Sequence, residues 1–267
     1  MQQTSSHHRT PDSAAGRAEP GGAAHRVHGL VSAALMAAGV ALFMWGGSQH
    51  PPTDTSMGVV GSEDYFRTFA EHVARTEDWR STHAGLLAGP LLWALGSVGF
   101  AAHARARPAT GAGFAQSGLV ALAMGAVAWS VVFVVDGFVA PLQAESAAAG
   151  DFTPEAMAAF RFSQEIVGRL GLVSWLLIGA GIAGLAAAVL ADRDLGPVWR
   201  LGLGLSGVAI GLWPAAGAAV GIFQPSVFTS ALWVPTALVT SLWFLLAAVA
   251  LLWRGARPPR AASVSAP

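Results

Sequence analysis

Residues 29–47 read GLVSAALMAAGVALFMWGG, a run without a single charged side chain. At about 1.5 Å of rise per residue, a helix over this run nearly matches the roughly 30 Å of hydrocarbon in a bilayer. It is longer than the h-region of a signal peptide, usually about 7 to 15 residues, and no small-x-small cleavage site follows it. The run is therefore read as an uncleaved first transmembrane span.

The same quality recurs at about residues 84–104, 117–135, 170–191, 201–223 and 230–253. Six spans result, and the fold class they predict is all-α, a six-helix transmembrane bundle. Pro90, Pro214 and Pro235 fall within or at the edge of these runs. In lipid an isolated proline bends a helix without ending it, so bends are expected there.

Composition agrees. Of 267 residues, 54% are hydrophobic and 11% charged, against roughly a quarter charged in an ordinary soluble domain. Net charge is zero and no basic face is visible, which removes the electrostatic attraction that nucleic-acid binding needs. The lipid bilayer is the expected partner, and nucleic acid is not. The chain has no cysteine, which excludes disulfides, thiolate metal sites, iron–sulfur clusters and a cysteine nucleophile. His, Asp and Glu remain as potential ligands. Every basic residue is Arg, and Ala, Gly and Pro are abundant, a bias that GC-rich bacterial coding produces.

Residues 1–26 are polar, with almost no large apolar side chain, and are expected to form a disordered tail, as are residues 255–267. His7 and His8 belong to that tail and carry no site on their own. One membrane domain fills residues 27–254. Its orientation follows from the arginines, which accumulate on the cytoplasmic side. Arg9, Arg17, Arg26, Arg105, Arg107, Arg193, Arg200, Arg254, Arg257 and Arg260 fall on one side, against Arg67, Arg75, Arg80, Arg161 and Arg169 on the other. Both termini are therefore expected in the cytoplasm of a bacterial plasma membrane. The outer side is acidic, a property that keeps loops soluble and also attracts cations.

The first outer loop, residues 48–82, is more than a linker. Ser62 can cap a helix whose first turn holds Glu63 and Asp64, and Tyr65, Phe66, Phe69 and Val73 recur at helical spacing. A short amphipathic helix over about residues 62–76 is predicted at the membrane surface, with Phe66, Phe69 and Val73 on the rim of the bundle. The second outer loop, residues 141–164, holds a helical start at Thr153-Pro154-Glu155, with Thr as cap and Pro at the first helical position.

Small residues spaced by four, Gly85 and Gly89, Gly207 and Gly211, Gly217 and Gly221, suit close helix packing, within the chain or in a homo-oligomer or with a membrane protein partner. Gly29-Leu30-Val31-Ser32 recurs as Gly171-Leu172-Val173-Ser174 in the fourth span, which would fit the inverted repeat of a secondary transporter. No similar match links the other spans.

Asp136 is the only acid within an apolar run, and an intramembrane acid is a functional-site hypothesis by default. It falls near the outer end of the third span, and Arg169 begins the fourth at comparable depth. A candidate polar site on the outer face is accordingly drawn from His50, His83, Asp136, Glu165 and Arg169, with Asp136 expected to meet Arg169, His83 or both. Haem ligation by the histidines flanking the first two spans is disfavoured, because His83 and His103 are 20 residues apart, which puts them about 30 Å apart at opposite interfaces. No closed histidine cluster at ligand spacing is visible, so neither a cofactor nor a metal is expected, and no catalytic motif points to an enzyme. A secondary transporter, or a membrane enzyme or metal protein using these imidazoles and carboxylates, are the alternatives.

Trp79-Arg80-Ser81-Thr82-His83 leading into the second span, and Asp136-Gly137 followed by an acidic helical stretch, resemble a group of uncharacterised bacterial multi-pass membrane proteins of the DUF4386-like kind. The resemblance covers roughly residues 79–253. It implies a multi-helix membrane fold and no particular activity.

Overall fold

The computed structural model describes residues 20–50, 59–105, 109–192, 195–224 and 232–255. Its helices are α1 (Pro20–Gln49), α2 (Glu63–Arg75), α3 (Trp79–Arg105), α4 (Ala109–Val134), a π-helical turn (Val135–Val139), α5 (Ala140–Ala149), α6 (Pro154–Ala191), α7 (Pro197–Phe223) and α8 (Trp233–Gly255). Six segments are long and apolar enough to cross a bilayer, one each in α1, α3, α4 continued into α5, α6, α7 and α8. The chain is a helical bundle of multi-pass membrane type. Residues 1–19 and 256–267 of the expected tails lie outside the described residues, whereas α1 begins at Pro20, inside the stretch expected to be unstructured.

The spans form a closed ring in chain order. Helix α1 packs on α3, α3 on α4, α4 on α6, α6 on α7 and α7 on α8, and α8 returns to α1. The centre is filled by large rings from five helices: Phe43, Trp93, Trp129, Trp175, Trp243 and Phe244 are all buried. Trp93 stacks on Phe244 at 4.8 Å between centroids, and Trp129 meets Trp175 edge-on at 5.1 Å. The perimeter is the reverse of a soluble protein's, with Leu95, Val127, Leu205, Leu212 and Val234 each more than half exposed. Lipid is the solvent that such a surface fits.

Because lipid chains are as apolar as leucine, helices in a membrane are held by close packing rather than by expulsion of water. The glycines serve that purpose inside the chain. A Cβ on Gly89 would lie 2.6 Å from Phe43 Cβ, one on Gly118 2.6 Å from the Leu185 nitrogen, and one on Gly211 2.6 Å from the Ala183 nitrogen. The fourfold-spaced Gly85/Gly89 and Gly207/Gly211 faces are thus filled by α1 in the first case and by α6 and α8 in the second. Pro90 and Pro214 stand inside continuous helices. Pro235 falls in the first turn of α8, where a missing N–H costs nothing, so the bend expected there has no physical basis.

The connection expected at residues 141–164 is corrected. Instead of ending near Val135, the third span continues through the π turn into α5, and the fourth begins at Pro154, well ahead of Leu170. Thr153 caps α6 as expected, its Oγ1 accepting from the Ala156 N–H with Pro154 in the first turn. Helix α6 has 38 residues, or about 57 Å of length against roughly 30 Å of hydrocarbon. Several turns of this hairpin therefore stand clear of the membrane.

Helix α2 packs on that projecting hairpin. Ser62 accepts from the Tyr65 N–H at the N-cap, Glu63 and Asp64 occupy the first turn, and Arg75 the last. Tyr65, Phe66, Phe69, Ala70 and Val73 bury against Ala140, Ala144, Ala147, Met157 and Phe160, a second core separate from that of the bundle. The amphipathic helix of the first loop is thus a cap seated on protein rather than a helix lying on lipid.

Candidate functional site

The π turn has a local cause in Pro141, although α3 and α7 pass Pro90 and Pro214 without a π turn. Pro141 has no N–H and its ring would strike the carbonyl four residues back, so a regular α-helix cannot pass residues 137–141 unaltered. One widened turn resolves the conflict: the Ala140 N–H reaches the Val135 carbonyl five residues back. The next carbonyl in that pattern, that of Asp136, would look to Pro141 and finds no donor. The Trp79 indole on α3 supplies one, its Nε1–H donating to the Asp136 carbonyl oxygen at 2.7 Å. Gly137 allows α3 to come this close, since a Cβ there would collide with the side chain of His83.

This junction brings His83 against Asp136. His83 is fully buried and Asp136 is 6% exposed. His83 Nδ1 lies 2.7 Å from the Trp79 carbonyl oxygen, which only accepts, so Nδ1 carries hydrogen. His83 Nε2 lies 3.0 Å from Asp136 Oδ2. Two facing lone pairs at that distance would repel, so a proton lies between them. Whether written as imidazolium and carboxylate or as imidazole and carboxylic acid, the pair is net neutral, which is what lets it be buried. The other carboxylate oxygen, Oδ1, accepts from Gln164 Nε2 at 3.0 Å.

Rings enclose the pair. Trp79 lies 4.5 Å from His83 between centroids, Phe133 5.9 Å, and His50 at the end of α1 5.1 Å. His50 is half-buried and also meets Trp79 at 5.4 Å and Trp233 of α8 at 6.2 Å. The ligand atoms of His50, His83 and Asp136 all lie within 4.8 Å of one another. Above them, burial and the Asp136 carboxylate push the Tyr65 phenol of α2 up to about 12, so it is a neutral hydroxyl across the physiological range.

Two residues of the sequence-derived site lie elsewhere. Arg169 pairs with Glu165, not with Asp136, at 3.3 Å on the exposed face of α6, its side chain 84% exposed. Being four residues apart on one continuous helix, the two share a face, and that face looks away from the cluster. Gln164 takes the place assigned to Arg169. It could have been found had the Thr153 cap been carried forward as a helix, because Met157, Phe160, Ser163, Gln164 and Val167 then fall on one inward stripe. Trp79 as a tether could have been found from Pro141 and the carbonyl it orphans. The ligand set had no legible spacing, since its members stand on three separate elements.

Compared with protein-family models, with curated proteins and with solved structures, the chain matches none, and the chemistry of this cluster is the ground on which a role can be assigned.

Proposed function

We propose that this chain is a non-enzymatic multi-pass protein of a bacterial plasma membrane, with both termini in the cytoplasm. Its working part is the outward-facing polar cluster of His50, His83 and Asp136, which takes up a cation or a small polar solute. The observation that carries this reading is the buried His83–Asp136 pair, with Nε2 and Oδ2 3.0 Å apart. An ionisable pair at the edge of a membrane span is costly to maintain, and a simple helix tie needs neither a titratable group nor a half-buried second imidazole beside it. The orientation rests on the arginine asymmetry. The acidic surface of that side, Glu63, Asp64, Glu71, Glu77 and Asp78 among it, raises the local concentration of cations.

Secondary transport is the second reading. It draws on Ser97, Thr240 and Ser241 and the Trp93 indole, whose polar atoms are buried without a hydrogen-bond partner among the described residues. Their neutrality favours the first reading, because coupled transporters place charge or unwound backbone near the midplane.

The test compares Asp136→Asn with the wild type. In Asp136→Asn the side-chain amide still donates to His83 Nε2, while its oxygen still accepts from Gln164, so the tie persists without the shared proton. A working site gives normal folded yield for Asp136→Asn with loss of any solute-induced thermal shift. Normal yield for Asp136→Asn with no solute-induced thermal shift in the wild type marks a purely structural pair.

A further inference from the structure

Resting on that reading of the cluster, we propose that His50, His83 and Asp136 form a binding site for a divalent first-row transition metal ion of the zinc type. Three protein ligands would hold the ion, leaving a fourth position open toward the half-buried His50 side. The donor set is two imidazoles and one carboxylate, which suits zinc, and the cysteine-free chain offers no thiolate to a softer ion.

His83 is already prepared as a ligand. Its Nδ1–H is committed to the Trp79 carbonyl, which directs the Nε2 lone pair at Asp136. Ligating histidines are usually fixed in this way by a carbonyl or carboxylate behind them. Asp136 is held from behind as well, by Gln164 on Oδ1, while the indole bond from Trp79 to its backbone fixes the turn that carries it. In a tetrahedral site with bonds of about 2.0 Å, ligand atoms lie about 3.3 Å apart. The His83–Asp136 separation of 3.0 Å is near that value. The widest separation among the three ligand atoms is no more than 4.8 Å, and His50 is the one of the three side chains that is only half-buried.

Binding is balanced in protons. The ion takes the lone pairs of His83 Nε2 and Asp136 Oδ2, and the single proton between them leaves to water. A dipositive ion then stands where a neutral pair stood, with one carboxylate to offset it. The other titratable group facing Asp136 is the Tyr65 hydroxyl of α2, which contributes no charge at neutral pH.

The experiment uses the full chain, purified in detergent and stripped with a chelator, and titrates it with zinc chloride alone, with cobalt(II) as a spectroscopic probe. The expected result is one zinc per chain at micromolar concentration, release of about one proton, and visible cobalt bands of tetrahedral intensity. Asp136→Asn and His50→Ala each remove a ligand atom and should weaken binding by roughly 100-fold or more, beyond the loss expected when a residue behind a ligand is removed, with the thermal midpoint of metal-free Asp136→Asn close to that of the wild type. Replacing His7 and His8 with Ala should leave binding intact. Absence of zinc and cobalt binding in folded wild type, or equal binding in Asp136→Asn, overturns the proposal. If zinc fails to bind while Asp136→Asn still removes a shift induced by another solute, the metal inference falls and the site reading stands.

Discussion

The two cores of this molecule are built for different solvents. In the bundle, Gly118 lets α4 touch α6 and Gly179 lets α6 touch α7, and the centre is packed with indoles and phenyl rings. In the cap, α2 covers the projecting α5–α6 hairpin with Tyr65, Phe66, Phe69 and Val73, Glu63 reaches across to Arg161 of α6, and Arg67 and Glu71 pair on the outer side of α2. The bundle's outer surface is apolar, whereas the outer side of α2 is charged. Close backbone approach is the cohesive device where burying a methyl group gains nothing, and apolar burial is the device where water is the alternative. The His50–His83–Asp136 cluster lies where the two meet. Trp79 belongs to the cap core, yet its indole and carbonyl hold Asp136 and His83 of the bundle.

The largest break in the comparison comes from filling a glycine contact. Gly118→Leu sets a side chain against the backbone of α6, with Leu185 nitrogen and Gly181 oxygen already within 2.8 Å of the first added carbon. Overpacking against backbone with no room to yield is expected to cost roughly 3 kcal/mol or more, read as collapse of monodisperse yield in detergent. The matching change in the cap is Phe69→Ala, where a ring 3% exposed is lost. The cavity costs about 3 to 5 kcal/mol, and it falls on the contacts that dock α2 rather than on those of the bundle. Helix α2 should therefore become protease-sensitive while the thermal midpoint of the bundle stays put. If both variants lose yield together, the two cores are one cooperative unit and the contrast fails.

At the boundary the effects are smaller. Asp136→Ala leaves His83 Nε2 and the Gln164 amide without partners, at about 1 to 3 kcal/mol for each buried group. Asp136→Asn keeps both bonds and should stay within about 1 kcal/mol of wild type. Tyr65 gives a pH effect whose sign is fixed. Its folded-state value is raised from 10.0 to about 12, so its contribution is intact below pH 10 and is lost as pH rises toward 12. Linkage puts that loss on the order of 1 kcal/mol by pH 11, visible as a steeper alkaline fall in stability than in Tyr65→Phe. Arg169→Ala should change nothing measurable, since its partner Glu165 is also exposed.

Much of this was legible in the residues. Uncharged runs near the length of a bilayer mark the spans without ambiguity, and Ser62 with its acidic turn and apolar stripe marks α2 almost to the residue. The α5–α6 hairpin was not legible, because hydropathy locates lipid, and a helix that leaves lipid for water turns polar at Gln143, Glu145 and Glu165 just as a loop does. The Thr153 cap gave the start of α6 but nothing stated how far it ran. Within the site, Asp136 was marked by being an acid among valines, and His83 by its place at a span end. Their partners depended on helical phase, and ending the third span early and starting the fourth late turned Arg169 inward and Gln164 away. The π turn had a local cause in Pro141, which is a signal available to any reading that asks where each carbonyl finds its donor.

The contrast between a cap in water and a bundle in lipid is tested most directly by single cysteines in this cysteine-free chain, labelled on intact cells with a membrane-impermeant thiol reagent. Ala148→Cys on the cap hairpin, Val127→Cys on the perimeter of α4 and Val198→Cys at the start of α7 are all exposed in the bare molecule, Val127 at 61% and Val198 at 81%. Only the surroundings can distinguish them. Rapid labelling of Ala148→Cys is expected, with Val127→Cys inert because lipid covers it, and Val198→Cys reactive only after the membrane is opened. Labelling of Val127→Cys as fast as Ala148→Cys, or of Val198→Cys on intact cells with Ala148→Cys protected, would contradict the account.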